Sequence, residues 1–413
     1  MAVLGLLQPI CAAHAFKVEP YITLQEEYSD NINLSATDRK DDFITTVSPG
    51  IKLSNMEQRS SIDLDYRLGF VFYAHDSDKN YIRHEGLLNG HYNPVQSTTF
   101  RLRDYFVRSE EPRENAFTFV PTAVAQTGQT VLSTDRGRAV YWRNVLEPSI
   151  EYRPGPEDAI GLNFRDNVYR NENPLFQDSR EDFINPYVTH WFNKTNGVYA
   201  EYGYLRGDFE RSPDLIGHLA RGRYMFRPQA GTTYFIEHIY LKRSFDSPGI
   251  DYDVHQPSLG IEKEFGPSLR GKIQVGYFWY SPESGADESG LAGELSLLYR
   301  LPMTDMSILF RWGYTEDYFT AEDLGFARYR QVLANITHRI ERNLSAGITG
   351  SVEKADFTSG RDDTLWLVGG TTSYLPLQWL TLSLDIQHRE TRSSIDAFDF
   401  MENRVIFRIT AVY

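Results

Sequence analysis

Charged and polar side chains recur two residues apart along this sequence: Asp63, Asp65 and Arg67, then Arg83 and Glu85, then Arg101, Arg103 and Tyr105. Arg143, Glu147, Arg165, Arg221, Arg223, Glu262, Glu264, Arg311 and Arg408 stand in similar polar settings, interleaved with Tyr, Asn and Gln. A guanidinium fork grips carboxylates through paired hydrogen bonds, and rings of charge set what a pore admits. Two chemistries fit this pattern. One is a lattice of cross-strand salt bridges that satisfies a polar wall. The other is a hydrophilic path for a sugar or an ionic solute, with tyrosine rings stacking on sugar faces. The two are compatible.

Motifs for catalysis are missing. Gly266-Pro267-Ser268-Leu269-Arg270 lacks the second glycine of a nucleophile elbow. His84-Glu85 starts like a zinc-protease helix, but position 88 is Leu. His91 lies seven residues beyond His84, which puts the two on opposite faces of a strand. No phosphate-binding loop, haem-attachment motif or acidic calcium loop is present. The expectation is a protein without enzymatic activity, cofactor or metal.

These residues need elements that present every second side chain to one side. The segment Arg404 to Tyr413 does so, with Val405, Phe407, Ile409, Ala411 and Tyr413 on one face and Arg404, Arg408 and Thr410 on the other. A strand of this kind resembles the closing strand of an outer-membrane β-barrel, and Phe407 and Tyr413 are the expected assembly signal. The same alternation runs through Ile62, Leu64, Tyr66, Leu68, Phe70 and Phe72. It returns in Leu291-Leu295-Leu297-Tyr299, Met306-Ile308-Phe310-Trp312-Tyr314 and Leu380-Leu382-Leu384-Ile386. With 26 Tyr and 25 Phe, the chain is still only 41% hydrophobic, and its mean hydropathy is -0.44. That suits a wall with a greasy outer face, interfacial aromatics and a polar interior. No run of roughly 20 apolar residues exists to form a spanning helix. The net charge of -14 excludes a phosphate-binding surface for nucleic acid.

The expected fold is all-β: a single antiparallel transmembrane barrel of about 20 strands, with 18 the nearest alternative, over residues 16–413. With ~4.8 Å between strands and ~40° tilt, twenty strands give a diameter of roughly 40 Å, too wide for side chains alone to fill. Short turns such as Asn93-Pro94-Val95-Gln96, Arg227-Pro228-Gln229 and Pro376-Leu377-Gln378 suit the periplasmic rim. Acidic connections at 166–181, 207–217 and 315–325 suit the extracellular rim. The connection 110–137 is far longer and holds apolar residues; it is expected to fold inward as a constriction, the alternative being a hairpin above the membrane. Pro49, Pro148, Pro186 and Pro257 fall inside strands and predict bulges or a bend in the wall.

Residues 1–15, with a short apolar run ending Ala13-His14-Ala15, read as a signal peptide without its basic leader, and imply export. Cys11, the only cysteine, falls within it, so the mature chain is expected to carry no disulfide. The stretches Tyr28 to Leu34, Asp42 to Ile51 and Leu64 to Leu68 resemble the N-terminal signature of the outer-membrane proteins associated with the PEP-CTERM/exosortase system, which are related to the putative β-barrel porin 2 family. The resemblance implies an outer-membrane barrel tied to exopolysaccharide production and carries over no catalytic residue. The expected role is a pore for exopolysaccharide export. A general solute porin and a structural or adhesive barrel with a closed lumen are the alternatives. The expected partners are outer-membrane lipid, the barrel-assembly machinery and polysaccharide export components.

Overall fold

The computed structural model describes residues 16–110, 139–174, 176–319 and 324–413. The proposed signal peptide and nearly all of the 110–137 connection lie outside the described residues. The first strands are β1 (Lys17–Ser29), β2 (Asp42–Met56), β3 (Ser60–Tyr73), β4 (Tyr81–Val95) and β5 (Thr98–Ser109). There follow β6 (Tyr141–Tyr152), β7 (Ala159–Asn171), β8 (Ser179–Trp191), β9 (Asn196–Phe209) and β10 (Leu215–Gln229). The second half supplies β11 (Thr232–Phe245), β12 (Tyr252–Glu264), β13 (Leu269–Pro282), β14 (Glu288–Arg300) and β15 (Thr304–Asp317). The last are β16 (Gly325–Glu341), β17 (Leu344–Phe357), β18 (Asp362–Leu377), β19 (Leu380–Ser393) and β20 (Phe400–Val412).

Each strand pairs antiparallel with its neighbours in sequence, and β1 pairs with β20, so the sheet closes on itself. Closure leaves no strand edge for lipid to meet. The register fixes both faces. On β3, Ile62 to Phe72 point outward at every second position, while Arg67 lies opposite Glu85 of β4 on the inner face. The expected outer sets on β14, β19 and β20 also face outward: Leu291, Ile386 and Phe407 are all exposed. Short turns gather at one rim together with Lys17 and Val412, and the longer connections gather at the other.

The N-terminal signature has a structural job at the long-loop rim. Ser29 Oγ donates to Glu402 Oε1 (2.5 Å), and Asn31 Nδ2 donates to the Met401 carbonyl (2.9 Å). Asp30 accepts both the backbone N–H and the side-chain amide of Asn403. Three successive residues thereby lock β1 to β20 where the barrel closes. Ile32 then turns inward against Ile44, Val71 and Tyr73. Asp42, fully buried, accepts from the backbone of Phe43, His75 and Asp76 and ties the next loop down.

Two expectations about the wall need correction. The in-strand prolines make no bulge. At Pro49, Pro148, Pro186 and Pro257 the ladder to one neighbour skips two positions and resumes in the same register. A missing N–H removes a hydrogen bond, which an antiparallel ladder tolerates without an inserted residue. The register shifts at Tyr92/Val95, Phe226/Gln229 and Tyr374/Leu377, beside the short turns, where Pro94, Pro228 and Pro376 sit. The connections at 166–181, 207–217 and 315–325 are also shorter than expected, because the strands run on: β7 reaches Asn171, β9 reaches Phe209 and β15 reaches Asp317. Above the apolar band both faces turn polar, and the alternation that marks a strand in sequence fades.

Candidate functional site

The register places all the interior candidates on the inner face, where most meet an opposite charge. Arg67 (2.5 Å) and Arg83 (2.7 Å) share Glu85. Arg103 meets Glu147 at 2.9 Å, and Arg101 stands 3.7 Å from Glu151, which also accepts from the Tyr187 hydroxyl. Arg143 donates to Asn167, and Arg165 pairs with the buried Glu181. Tyr105 packs against Val107, Tyr141 and Tyr169 toward the long-loop rim. Arg221 binds Glu201 (3.2 Å), and Arg223 bridges Glu237 (2.7 Å) and Glu262 (3.1 Å). Arg311 pairs with Glu294 (3.2 Å), which Lys272 also approaches to 3.2 Å. Arg408 pairs with Asp385, and Asp65 accepts from Tyr21.

Sequence reasoning missed the acids that complete this lattice: Glu151, Glu181, Glu201, Glu237, Glu294 and Asp385. Each lies at an inner position of its strand, and a register between neighbouring strands would have found them. Glu181 and Glu237 are the most enclosed, 1% and 2% exposed, and Glu237 also accepts from Gln274. Outside the lattice, Phe407 lies on the outer face, and the exposed Tyr413 donates its N–H to the Pro20 carbonyl beside the seam. His84, on the outer face, bonds the Tyr66 hydroxyl, away from the inward His91. Among the described residues, no three His, Cys, Asp or Glu side chains are grouped to hold a metal ion.

The expected outer set on β15 fails at its last member. Gly313 has φ +144°, a conformation that side-chain-bearing residues rarely adopt, and past it β15 keeps its register with β16 while parting from β14. Tyr314 therefore points inward and packs against Phe278 and Phe326. Pairing between β14 and β15 stops at Gly293 and Trp312, although both strands continue toward the long-loop rim. The end of β15 leaves the wall, crosses the inner face of β14 at the small Ala292, and is buried on both sides from Gly313 to Asp317 apart from the half-buried Tyr314.

This inward end anchors an apolar core inside the barrel. Tyr318, Phe319 and Phe326 pack with Leu205, Leu219, Ile239, Tyr252, Val254, Phe278 and Tyr280, all from the inner faces of β9 to β13. Phe319 reaches Phe209 on β9 (5.2 Å between ring centres), and only a glycine at 207 leaves room for it. One ion pair fastens the arrangement: Arg243 donates two hydrogen bonds to Glu316, at 3.0 and 2.6 Å. Tyr252 donates to the same carboxylate and also bonds Tyr318. Burial, and the Glu316 carboxylate nearby, push the Tyr318 hydroxyl well above the ordinary phenol range, so it stays neutral. A narrowing element was expected in the 110–137 connection; the structure shows one at the end of β15. Its sequence signal was the glycine between two aromatics, Trp312-Gly313-Tyr314.

Beneath the hairpin lies a cavity of about 3370 Å³. It extends from Arg153, Lys194 and Gly231 at the short-turn rim up to Tyr314, Thr315 and Glu316. The charge lattice forms much of its wall.

Comparison with known proteins agrees with this architecture. The family profile described as "Putative beta-barrel porin 2" matches residues 206–413, downstream of the N-terminal signature. No curated protein matches the chain by sequence. Among solved structures, the FrpB iron transporter from Neisseria meningitidis is similar with a TM-score of 0.57 at 8% identity, over 96% of this chain and 82% of that one. The siderophore receptor PirA from Pseudomonas aeruginosa gives 0.53 at 10% identity, over 97% and 81%. The outer membrane protein opdK from the same bacterium gives 0.43 at 10% identity, over 97% and 100%. At such identities the likeness to the first two concerns the fold alone.

Proposed function

The chain belongs to the putative beta-barrel porin 2 family and is a β-barrel of the bacterial outer membrane, and from that premise we propose that it is a conduit for a hydrophilic saccharide, serving exopolysaccharide export. The observation that carries this reading is the paired wall of a wide cavity. Arginines on β3 to β10 are matched by Glu85, Glu147, Glu151, Glu181, Glu201 and Glu237, so the surface is rich in hydrogen-bonding groups yet close to neutral. Such a wall neither concentrates nor repels ions strongly, and it suits a polyhydroxylated chain of low charge density better than a strongly charged solute. Tyr187 and Tyr199 add aromatic faces within the cavity. The N-terminal resemblance supports polysaccharide as the cargo. On this reading the barrel catalyses nothing, enters the membrane through the assembly machinery by way of Phe407 and Tyr413, and meets export components at the periplasmic, short-turn rim.

A second reading, a surface barrel with a closed lumen, is favoured by the inward hairpin. Deleting the gene and measuring surface polysaccharide separates them, together with swelling of liposomes that hold the purified barrel in oligosaccharide solutions. The conduit requires reduced polysaccharide and swelling. Normal polysaccharide with swelling leaves a general porin, and no swelling leaves the closed barrel.

A further inference from the structure

The outer face carries cations in two settings. On β7 to β9 each has an acid within reach: Arg170 with Asp178, Arg180 with Asp166, Arg206 with Asp208. Across β16 to β19 the arrangement differs. Arg330 lies directly opposite Lys354, and like charges placed so repel each other. Lys354 lies opposite Thr364, which lies opposite Arg392, so one lateral row crosses four strands. Trp312 flanks Arg330 at the other end of the row. Arg330 has no hydrogen-bond or ion-pair partner among the described residues and is exposed. Lys354 is 3.3 Å from Asp356, and Arg392 donates to Glu390 (2.7 Å); both cations stay about half exposed or more.

Height on the wall explains the row. Below Arg330 the outer face reads Val332, Ala334 and Ile336; below Lys354 it reads Val352, Gly350 and Ile348; below Arg392, past Glu390 and His388, come Ile386 and Leu384. Trp312 stands in the row beside Arg330 and Trp366 one step below it, as tryptophans do where hydrocarbon gives way to headgroups. The row thus lies at the headgroup level on the long-loop side, the outer leaflet. We propose that it binds the phosphate groups of a phosphorylated glycolipid of that leaflet. Arg and Lys held side by side are a repulsive arrangement that a phosphate relieves, and the guanidinium fork of Arg330 matches its oxygens. The acyl chains would run down the apolar faces of β16 and β17.

The test uses the full-length barrel purified in detergent, with native mass spectrometry to count bound lipid A. Wild-type protein should bind the bisphosphorylated form at least about tenfold more tightly than the fully dephosphorylated form, because cations near a lipid surface act on the phosphate charge. Arg330→Gln with Lys354→Gln should remove that preference, Arg392→Gln alone should weaken it, and Arg206→Gln should leave it intact. Heat-modifiable mobility on gels confirms that each variant is folded. Equal binding of both lipid forms by wild type, or an unchanged preference in the double variant, would overturn the proposal.

Discussion

Within the inner wall, burial decides what each charge contributes. Glu237 is almost wholly enclosed between Arg221 and Arg223, while Glu262, which also reaches Arg223, has a side chain 45% exposed. Removing one partner of a buried pair strands the other in a poor solvent and costs about 3–5 kcal/mol, whereas exposed pairs contribute ~1 kcal/mol or less. Glu237→Ala should therefore lower the denaturant midpoint of the barrel in lipid vesicles far more than Glu262→Ala; equal effects would mean that water reaches Glu237. On the outer face the sign of the environment reverses. Phe310, half-buried on the outer face between Ile308 and Trp312, should cost roughly 2–4 kcal/mol as Phe310→Arg if it sits near the bilayer midplane. Its neighbour Arg311→Ala should cost much less, since Lys272 still neutralises Glu294. Comparable losses at both positions in the same unfolding assay would contradict the faces assigned here.

Among the elements, the end of β15 departs most from the regular wall. Its hold depends on Glu316, and Glu316→Ala would leave Arg243 buried without a counter-charge, at a cost of about 3–5 kcal/mol. The hairpin end makes no ladder to β14, so it should detach while the barrel stays closed. Single-channel conductance in a planar bilayer should rise for Glu316→Ala combined with Tyr318→Ala, with heat-modifiable migration unchanged. Conductance equal to wild type would show that this hairpin does not limit the path. The twenty strands were legible because period-two alternation survives wherever one face meets lipid and the other meets water. The closing seam was legible as a motif but not as a mechanism: Ser29, Asp30 and Asn31 act on residues some 370 positions later, and the sequence does not announce that pairing. The inward turn was hidden because Tyr314 reads as one more interfacial aromatic, and it lies inside only because the end of β15 parts from β14 at Gly313.

For the whole molecule, the question is how closely a solute passes the charged wall. A barrel of twenty strands is roughly 40 Å across, whereas charge in 0.1 M salt is screened within about 10 Å. Fixed charges on such a wall select ions only if something forces the path close to them. Arg101, Arg103 and Arg143 stand on adjacent strands facing the cavity, and the first two have side chains 50% and 38% exposed. Replacing all three with Ser removes three positive charges, leaves Glu147 without Arg103, and leaves Glu151 with Arg153 alone. The reversal potential in a potassium chloride gradient should then move toward that of a cation-selective pore at 0.1 M salt. It should move little at 1 M, where screening shortens to about 3 Å. That salt dependence separates an electrostatic effect from a change in pore shape, which would persist at high salt. A reversal potential unmoved at 0.1 M would mean that ions cross the lumen more than about 10 Å from this part of the wall.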